Sequence, residues 1–151
     1  MKKVLIASDH AGLHGKEAIK KTLDEMGVEY EDLGANSLDS VDYPDYAERV
    51  ARGVARGEAE RGILVCGSGI GMQIAANKVQ GIRAALVWNE ETAKLARQHN
   101  DANIVAVGAR TTAPETIDQI IRAFLTTGFD GGRHLPRLEK IAKLDEQYRD
   151  R

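Results

Sequence analysis

The residues with the greatest capacity for chemistry stand where short apolar runs of the sequence end. Ser8-Asp9-His10 follows one such run, Cys66 ends another, and Arg110 follows a third. Carboxylates, imidazoles and thiols move protons or attack carbonyl carbon, and guanidinium groups bind phosphate or carboxylate. The sequence therefore predicts proton transfer on an anionic small molecule at the ends of predicted strands.

A glycine-rich segment begins at the cysteine and reads Cys66-Gly67-Ser68-Gly69-Ile70-Gly71. Alternate glycines allow a tight turn with exposed backbone N–H groups, which suit a phosphate or an oxyanion and favour a reactive thiolate. The alternative is an ordinary strand-to-helix turn with Cys66 as a small buried hydrophobic residue. A dinucleotide fingerprint is a poor alternative, because the spacing differs and the segment follows the third predicted strand and not the first. A nucleotide P-loop is excluded, because no Lys-Ser or Lys-Thr pair follows.

Further candidates lie in the second half of the chain. His99 and Asn100 end a helical segment, where the helix dipole alone would also favour a histidine. Arg133 and Arg137 are one helical turn apart, which suits a clamp on phosphate oxygens, the alternative being a solvated basic turn. No His, Asp or Glu cluster has the spacing of metal ligands, so we expect neither a metal nor another cofactor.

Short apolar runs alternate with helix-period segments and would position these residues. Strands are predicted at 4–7, 28–33, 63–66, 84–88 and 104–107, with helical segments after each. This alternation predicts an α/β fold, a Rossmann-like three-layer αβα sandwich around a five-stranded parallel sheet. One extra C-terminal amphipathic helix is predicted from residue 135. Because the other helices already cover both faces of the sheet, we expect it to pack across a sheet edge or on another subunit.

Composition limits the function classes. The chain has 151 residues, enough for one domain over residues 1–151, and 21 basic against 23 acidic side chains give a net charge of −2. That balance gives no general attraction to nucleic acid or to a membrane surface. A single cysteine excludes an intrachain disulfide, and no apolar run is long enough for a signal peptide or a membrane span. We expect a cytoplasmic protein.

Six motifs taken together resemble a known family. They are Ser8–Gly12, Asp42–Pro44, Cys66–Gly71, Ile74–Lys78, Arg97–Asn103 and Gly131–His134. In order and spacing they resemble the ribose-5-phosphate isomerase type B family, which includes galactose-6-phosphate and allose-6-phosphate isomerases, from residue 2 to about residue 141. The resemblance implies a homodimer, sometimes paired into a tetramer, with active sites at the subunit interface. It also implies that the last helix and the segment around His99 and Arg110 reach a neighbouring subunit.

The resemblance also implies a metal-free aldose–ketose interconversion of a sugar phosphate through a cis-enediolate. Cys66 would carry the proton between the two sugar carbons, and His99 would open the sugar ring with Asp9 assisting. Substrate binding is implied for Gly67, Ser68, Gly69, Ile70 and Gly71 of the loop and for His10, Asn100, Arg110, Arg133 and Arg137.

Two departures from the family pattern bear on the mechanism. Many members have threonine where this chain has Ser68, and the hydroxyl is kept. A second branch uses a glutamate at the position of Met72 as its base, but methionine cannot accept a proton, so we expect the cysteine mechanism. Ribose 5-phosphate is the expected substrate; a six-carbon sugar phosphate and a non-catalytic sugar-phosphate-binding module are the alternatives.

Overall fold

The computed structural model describes residues 3–149. The strands are β1 (Val4–Ser8), β2 (Tyr30–Asp32), β3 (Arg61–Cys66), β4 (Ala84–Leu86) and β5 (Ile104–Gly108). The helices are α1 (Leu13–Met26), α2 (Tyr43–Ala55), α3 (Ile70–Ala76), α4 (Glu90–Asn100), α5 (Pro114–Thr126) and α6 (Leu135–Arg149), with a short 3₁₀ turn at Gly132–His134. Residues 1, 2, 150 and 151 of the predicted domain lie outside the described residues.

All five strands are parallel and lie in the order β2-β1-β3-β5-β4. The chain therefore builds outwards from β1 to β2, returns to the other side of β1 with β3, passes to the edge strand β4, and then inserts β5 between β3 and β4. The reversal falls between β1 and β3, where ligands bind beyond the carboxyl ends of the strands in open parallel sheets. The Rossmann-like three-layer fold with a five-stranded parallel sheet is confirmed.

The sheet separates two apolar cores, because successive side chains of a strand point to opposite faces. Val4 and Ile6 of β1 lie in the core beneath α1, α4 and α5, whereas Leu5 and Ala7 lie in the core beneath α2 and α3. Cys66 belongs to the second core. The alternation thus turns the cysteine towards the α2–α3 side of the sheet.

The two edge strands are shorter than predicted. β2 covers Tyr30–Asp32 of the predicted 28–33, and β4 ends at Leu86 and not at residue 88. After Leu86 one more bond to β5 forms, from the Val87 N–H to the Ala106 carbonyl at 3.1 Å. The chain then starts α4 at Glu90, where the Asn89 side chain accepts a hydrogen bond from the backbone N–H of Thr92 at 2.8 Å. The cap ends the strand early, because the residues just before Asn89 must turn into the helix and cannot also extend the strand.

The last helix, α6, leaves much of its apolar surface exposed. Asp145 accepts a hydrogen bond from the Gly81 N–H at 2.8 Å, which brings α6 to the sheet edge beside β4. Ile141, Leu144 and Tyr148 are nevertheless between 43% and 55% exposed. Within residues 3–149, no helix combines the length and apolar character needed to cross a bilayer.

Candidate active site

An open cleft of about 620 Å³ lies at the carboxyl ends of β1, β3 and β5. It occupies the place where the strand order reverses, the position expected for a ligand site in this architecture. The cleft brings together eight of the residues singled out from the sequence. Its lining consists of Asp9, His10, Ala11, Tyr43, Cys66, Gly67, Ser68, Ile70, Gly71, Ile74, Arg110 and Thr111.

Asp9 is held rigidly after the end of β1. Its carboxylate accepts a hydrogen bond from the Gly12 N–H at 2.9 Å, and its own N–H donates to the Val65 carbonyl at 3.2 Å. The turn needs glycine, because a Cβ at position 12 would lie 2.3 Å from the Val65 carbonyl oxygen. Asp9 is only 7% exposed and lines the cleft as a buried carboxylate.

His10 lies beside Asp9 and is oriented by the loop that follows β2. Its Nδ1 accepts a hydrogen bond from the Val41 N–H at 3.1 Å. A neutral imidazole that accepts at Nδ1 carries its proton on Nε2. His10 therefore offers Nε2–H as a donor to a ligand in the cleft.

Cys66 lines the cleft with its sulfur facing a backbone donor. Sγ accepts a hydrogen bond from the Gly69 N–H at 3.1 Å, and the residue is 5% exposed. The loop is fixed to β5 by backbone bonds from Ala109 to the Cys66 carbonyl, 2.8 Å, and from Arg110 to the Gly67 carbonyl, 2.9 Å. A thiolate in this position can act as a base or a nucleophile on a group bound in the cleft.

Arg110 supplies the positive charge nearest to this loop. A Cβ built on Gly67 would lie 3.5 Å from Nη1 of Arg110, so the guanidinium group covers the glycine at the cleft wall. On the opposite side the Tyr43 ring covers Gly71, and a Cβ built on Gly71 would lie 2.5 Å from Cε1 of that ring. The loop is thus enclosed between a cation and an aromatic ring.

Tyr43 and Thr111 were not foreseen as cleft residues. Tyr43 opens α2, and the first residue of a helix that follows a parallel strand necessarily lies at the carboxyl edge of the sheet. Thr111 directly follows Arg110, and both positions could have been found from chain order alone. Met72, by contrast, is completely buried in the core and does not line the cleft.

Of the five predicted residues outside the cleft lining, Gly69 lies in the loop beside Cys66, and the other four lie at the opposite edge of the sheet. Nε of Arg83, the residue before β4, donates to the carbonyl of Asn100 at 3.1 Å. The end of α4 is therefore next to the amino ends of β4 and β5. A five-residue strand spans roughly 15 Å, so His99 and Asn100 cannot reach Cys66 of their own chain.

His99, Asn100, Arg133 and Arg137 form what we call the amino-edge group. The His134 ring stacks on the His99 ring with centroids 4.3 Å apart and planes 18° apart, which brings the 3₁₀ turn onto the end of α4. Nη1 of Arg137 donates to the Arg133 carbonyl at 2.9 Å. Desolvation, reinforced by the neighbouring His99, lowers the pKa of His134 from its usual value.

This edge also brings together three side chains of the kind that bind metals. Ligand atoms of His99, Asp130 and His134 lie within 4.8 Å of one another, an arrangement that the sequence spacing did not predict. The lone pairs of an imidazole lie in the ring plane, and two rings only 18° from parallel direct them side by side and not towards one point. The geometry favours aromatic stacking over shared ligation.

Comparison with known proteins shows the family to which the chain is similar. Residues 4–141 match the Ribose/Galactose Isomerase family. The ribose-5-phosphate isomerase B of Escherichia coli strain K12 is 44% identical over 147 residues, covering 97% of this chain and 99% of that protein.

Solved structures show the same similarity. The type B ribose 5-phosphate isomerase of Trypanosoma brucei has a TM-score of 0.93 at 56% identity, covering 95% of this chain and 99% of that chain. The ribose-5-phosphate isomerase B of Mycoplasma genitalium with bound ribulose-5-phosphate has a TM-score of 0.92 at 42% identity, covering 96% of this chain and 97% of that one.

Proposed function

The chain belongs to the Ribose/Galactose Isomerase family, and from this membership we propose that it interconverts D-ribose 5-phosphate and D-ribulose 5-phosphate with Cys66 as the base. The broader activity, aldose–ketose isomerisation of a sugar phosphate, follows from the comparisons directly. The proposal for the substrate is supported by the relative from Escherichia coli and by the bound ribulose-5-phosphate in the Mycoplasma genitalium enzyme.

One observation carries the proposed mechanism. The sulfur of Cys66 lies in the cleft at the reversal of strand order, with a backbone N–H on it and a carboxylate, an imidazole and a guanidinium group around it. An isomerase needs a base for a C–H proton, donors for the oxyanion that results and a cation for the phosphate. Cys66, the loop amides and Arg110 supply these three functions.

The first chemical step is opening of the furanose ring. A proton must leave the anomeric hydroxyl and another must reach the ring oxygen as the C1–O bond breaks. We assign this transfer to His99, assisted at the sugar hydroxyls by Asp9. Because His99 lies at the opposite edge of its own chain, the His99 that acts at one cleft belongs to a second subunit.

Isomerisation then moves hydrogen between C2 and C1. The Cys66 thiolate removes the C2 proton, the C–H electrons form the C1–C2 double bond, and negative charge collects on the carbonyl oxygen. Backbone N–H groups of Gly67–Gly71 stabilise the resulting cis-enediolate. With Asp9 assisting, the proton of the O2 hydroxyl moves to O1, the C2–O bond becomes the new carbonyl, and the thiol returns its proton to C1, which gives the ketose.

The remaining predicted residues hold the substrate. Ser68 in the cleft and Asn100 of the second subunit bind hydroxyl groups, which fixes the sugar chain with its first two carbons at Cys66. The phosphate is bound by cationic and donor groups from both subunits: His10 and Arg110 of one chain, and Arg133 and Arg137 of the other.

Exposed apolar surface supports the homodimer. Ile70 and Ile74, one helical turn apart on α3 at the cleft mouth, are 50% and 56% exposed. The apolar side chains of α6 are exposed to a similar extent. Contiguous exposed apolar residues mark protein–protein contacts. We propose that a second copy of the chain covers both surfaces and brings its amino-edge group to the cleft.

A side-by-side assay tests the substrate. Purified enzyme is given ribose 5-phosphate, allose 6-phosphate and galactose 6-phosphate, and ketose formation is followed with coupled detection. The proposal expects the highest kcat/KM with ribose 5-phosphate. A higher kcat/KM with either six-carbon substrate would assign the enzyme to that sugar, and binding of all three without turnover would overturn the catalytic assignment of Cys66.

A further inference from the structure

Lys16, in the first turn of α1, has a completely buried side chain. Lysine is almost never fully buried unless oxygen atoms neutralise and bind its ammonium group. Here Nζ donates to Oδ1 of Asp32 at 2.8 Å and to the carbonyl oxygen of Ala35, and it lies 3.5 Å from Oδ1 of Asn36. All three acceptors lie at the end of β2 or just beyond it, so Lys16 ties α1 to this segment.

Asp32 connects this lysine to further groups. Its Oδ1 also accepts from the Gly34 N–H at 2.9 Å, and its Oδ2 accepts from Lys20 at 3.0 Å. Burial alone would raise the pKa of Asp32, but the hydrogen bonds from Lys16, Gly34 and Lys20 outweigh it and hold that pKa below its usual value. The carboxylate is therefore a fixed counter-ion for Lys16 at neutral pH.

The segment that Lys16 holds leads directly to the cleft. Ser8, the last residue of β1, exchanges backbone hydrogen bonds with Gly34 and Ala35 at 2.8 and 2.7 Å. From there the chain runs through residues 36–42, which contain no helix or strand. Near its end, Val41 donates its N–H to Nδ1 of His10 at 3.1 Å. Both ends of the loop thus contact the residues at the end of β1.

We propose that Lys16 is a positioning residue for substrate binding, acting through the loop and Val41 on His10. Lys16 itself does not line the cleft. By fixing Asp32, Ala35 and Asn36 it keeps the Val41 N–H on Nδ1, so that His10 carries its proton on Nε2 and donates it to the substrate. This inference rests on the proposed function, in which His10 binds the phosphate.

A double-mutant cycle tests the coupling. Lys16→Met keeps the length of the side chain and removes its three N–H donors. We expect this variant to raise KM for ribose 5-phosphate about tenfold, the effect of one lost charge-assisted hydrogen bond, with kcat within about twofold. Added to His10→Asn, Lys16→Met should raise KM no further, since the two act as one unit.

Two other variants complete the test, one as a control and one as a second way to break the contact with His10. Lys20→Met removes the second lysine on Asp32 but leaves Lys16 and its bonds, so KM should not change. Val41→Pro removes the N–H donor, fixes φ at about −65°, and should raise KM as Lys16→Met does. Val41→Pro therefore decides the question if Lys16→Met does not fold. Fully additive effects of Lys16→Met and His10→Asn, or an unchanged KM in Val41→Pro, would overturn the proposal.

A measurement without substrate separates this inference from the proposed function. The ¹⁵N chemical shifts of the His10 ring report which nitrogen carries the proton. The native enzyme should show the Nε2–H form, and Lys16→Met and Val41→Pro should show a mixture of tautomers. If His10→Asn leaves KM unchanged, the role of His10 in phosphate binding is wrong, while the tautomer shift in Lys16→Met still decides whether Lys16 positions the ring.

Discussion

The backbone N–H of Gly69 donates a hydrogen bond to Sγ of Cys66 over 3.1 Å. The bond exists because Gly69 adopts φ of +80°, a left-handed conformation that turns its amide back towards the end of β3. This hydrogen bond fixes the position of the sulfur relative to the loop. The glycine loop therefore does more than connect β3 to α3, since it orients the side chain of the proposed base.

Replacing the thiol tests its role most directly. Cys66→Ala should lower kcat about 10³-fold, the usual contribution of a general base, while the fold and the binding of ribose 5-phosphate are retained. Turnover is measured by the coupled assay and binding by calorimetry. Met72→Leu, a volume-conserving change in the core behind the loop, is the control and should keep near-native kcat. Near-native turnover by Cys66→Ala would mean that another group is the base.

The loop geometry at Gly69 is equally testable. A Cβ at this position would lie 2.7 Å from Cδ1 of Leu86 and 2.9 Å from the carbonyl carbon of Val107. Together with the strain of the left-handed backbone, this overpacking should lower the free energy of unfolding by about 3 kcal/mol in Gly69→Ala. Because the N–H moves away from Sγ, kcat should also fall about tenfold or more.

Gly57 offers a matched control for that substitution. It has the same φ of +80°, but a Cβ there meets nothing within 4 Å. Gly57→Ala should therefore cost about 1 kcal/mol from backbone strain alone and leave kcat unchanged. Equal losses of stability in the two variants, measured by urea unfolding, would show that close packing around Gly69 is unimportant.

The carboxyl-edge half of the site was predictable because its residues directly follow apolar strands. In a parallel sheet the ends of β1, β3 and β5 lie at one edge, so Asp9, Cys66 and Arg110 had to come together once the strands were recognised. His99 follows the same rule with the opposite result. A helix that follows a parallel strand runs antiparallel to it, so the end of α4 lies at the edge formed by the amino ends of the strands.

Lys16 could not be recognised from its surroundings in the sequence. A lysine in an amphipathic helix is normally exposed, and the neighbouring Glu17 and Lys21 are exposed here. The acceptors that make its burial tolerable are Asp32, at the end of the short strand β2, and Ala35, in the irregular segment that follows it. Only the three-dimensional contacts connect them.

Asp32 should contribute to stability in a way that depends on pH. Its pKa is lowered in the folded protein by Lys16, Gly34 and Lys20 despite its burial, so the folded state binds fewer protons than the unfolded state near that pKa. The contribution is fully present above the unfolded value of about 4 and is lost as pH falls through the folded value. Asp32→Asn should therefore be about 2 kcal/mol less stable than wild type at pH 7.

Below about pH 4 the difference between wild type and Asp32→Asn should shrink, because the protonated carboxyl resembles the amide. Urea unfolding at several pH values measures both curves. The adjacent Glu31, whose exposed carboxylate pairs with Lys3 at 2.8 Å, supplies the control. Glu31→Gln should change stability by less than about 0.5 kcal/mol at pH 7. A constant deficit of Asp32→Asn at all pH values would contradict the role of the carboxylate charge.

Mixing of inactive variants tests whether His99 acts across subunits. Homodimers of Cys66→Ala and of His99→Ala should each be unable to isomerise ribose 5-phosphate when it is supplied in its ring-closed form. After mixed refolding, about half of the dimers are hybrids, and each hybrid has one cleft with an intact Cys66 opposite an intact His99 from the other chain. Activity should then return to about a quarter of the wild-type value. If His99 acted on the cleft of its own chain, every cleft in the mixture would lack one of the two groups, and no activity would return.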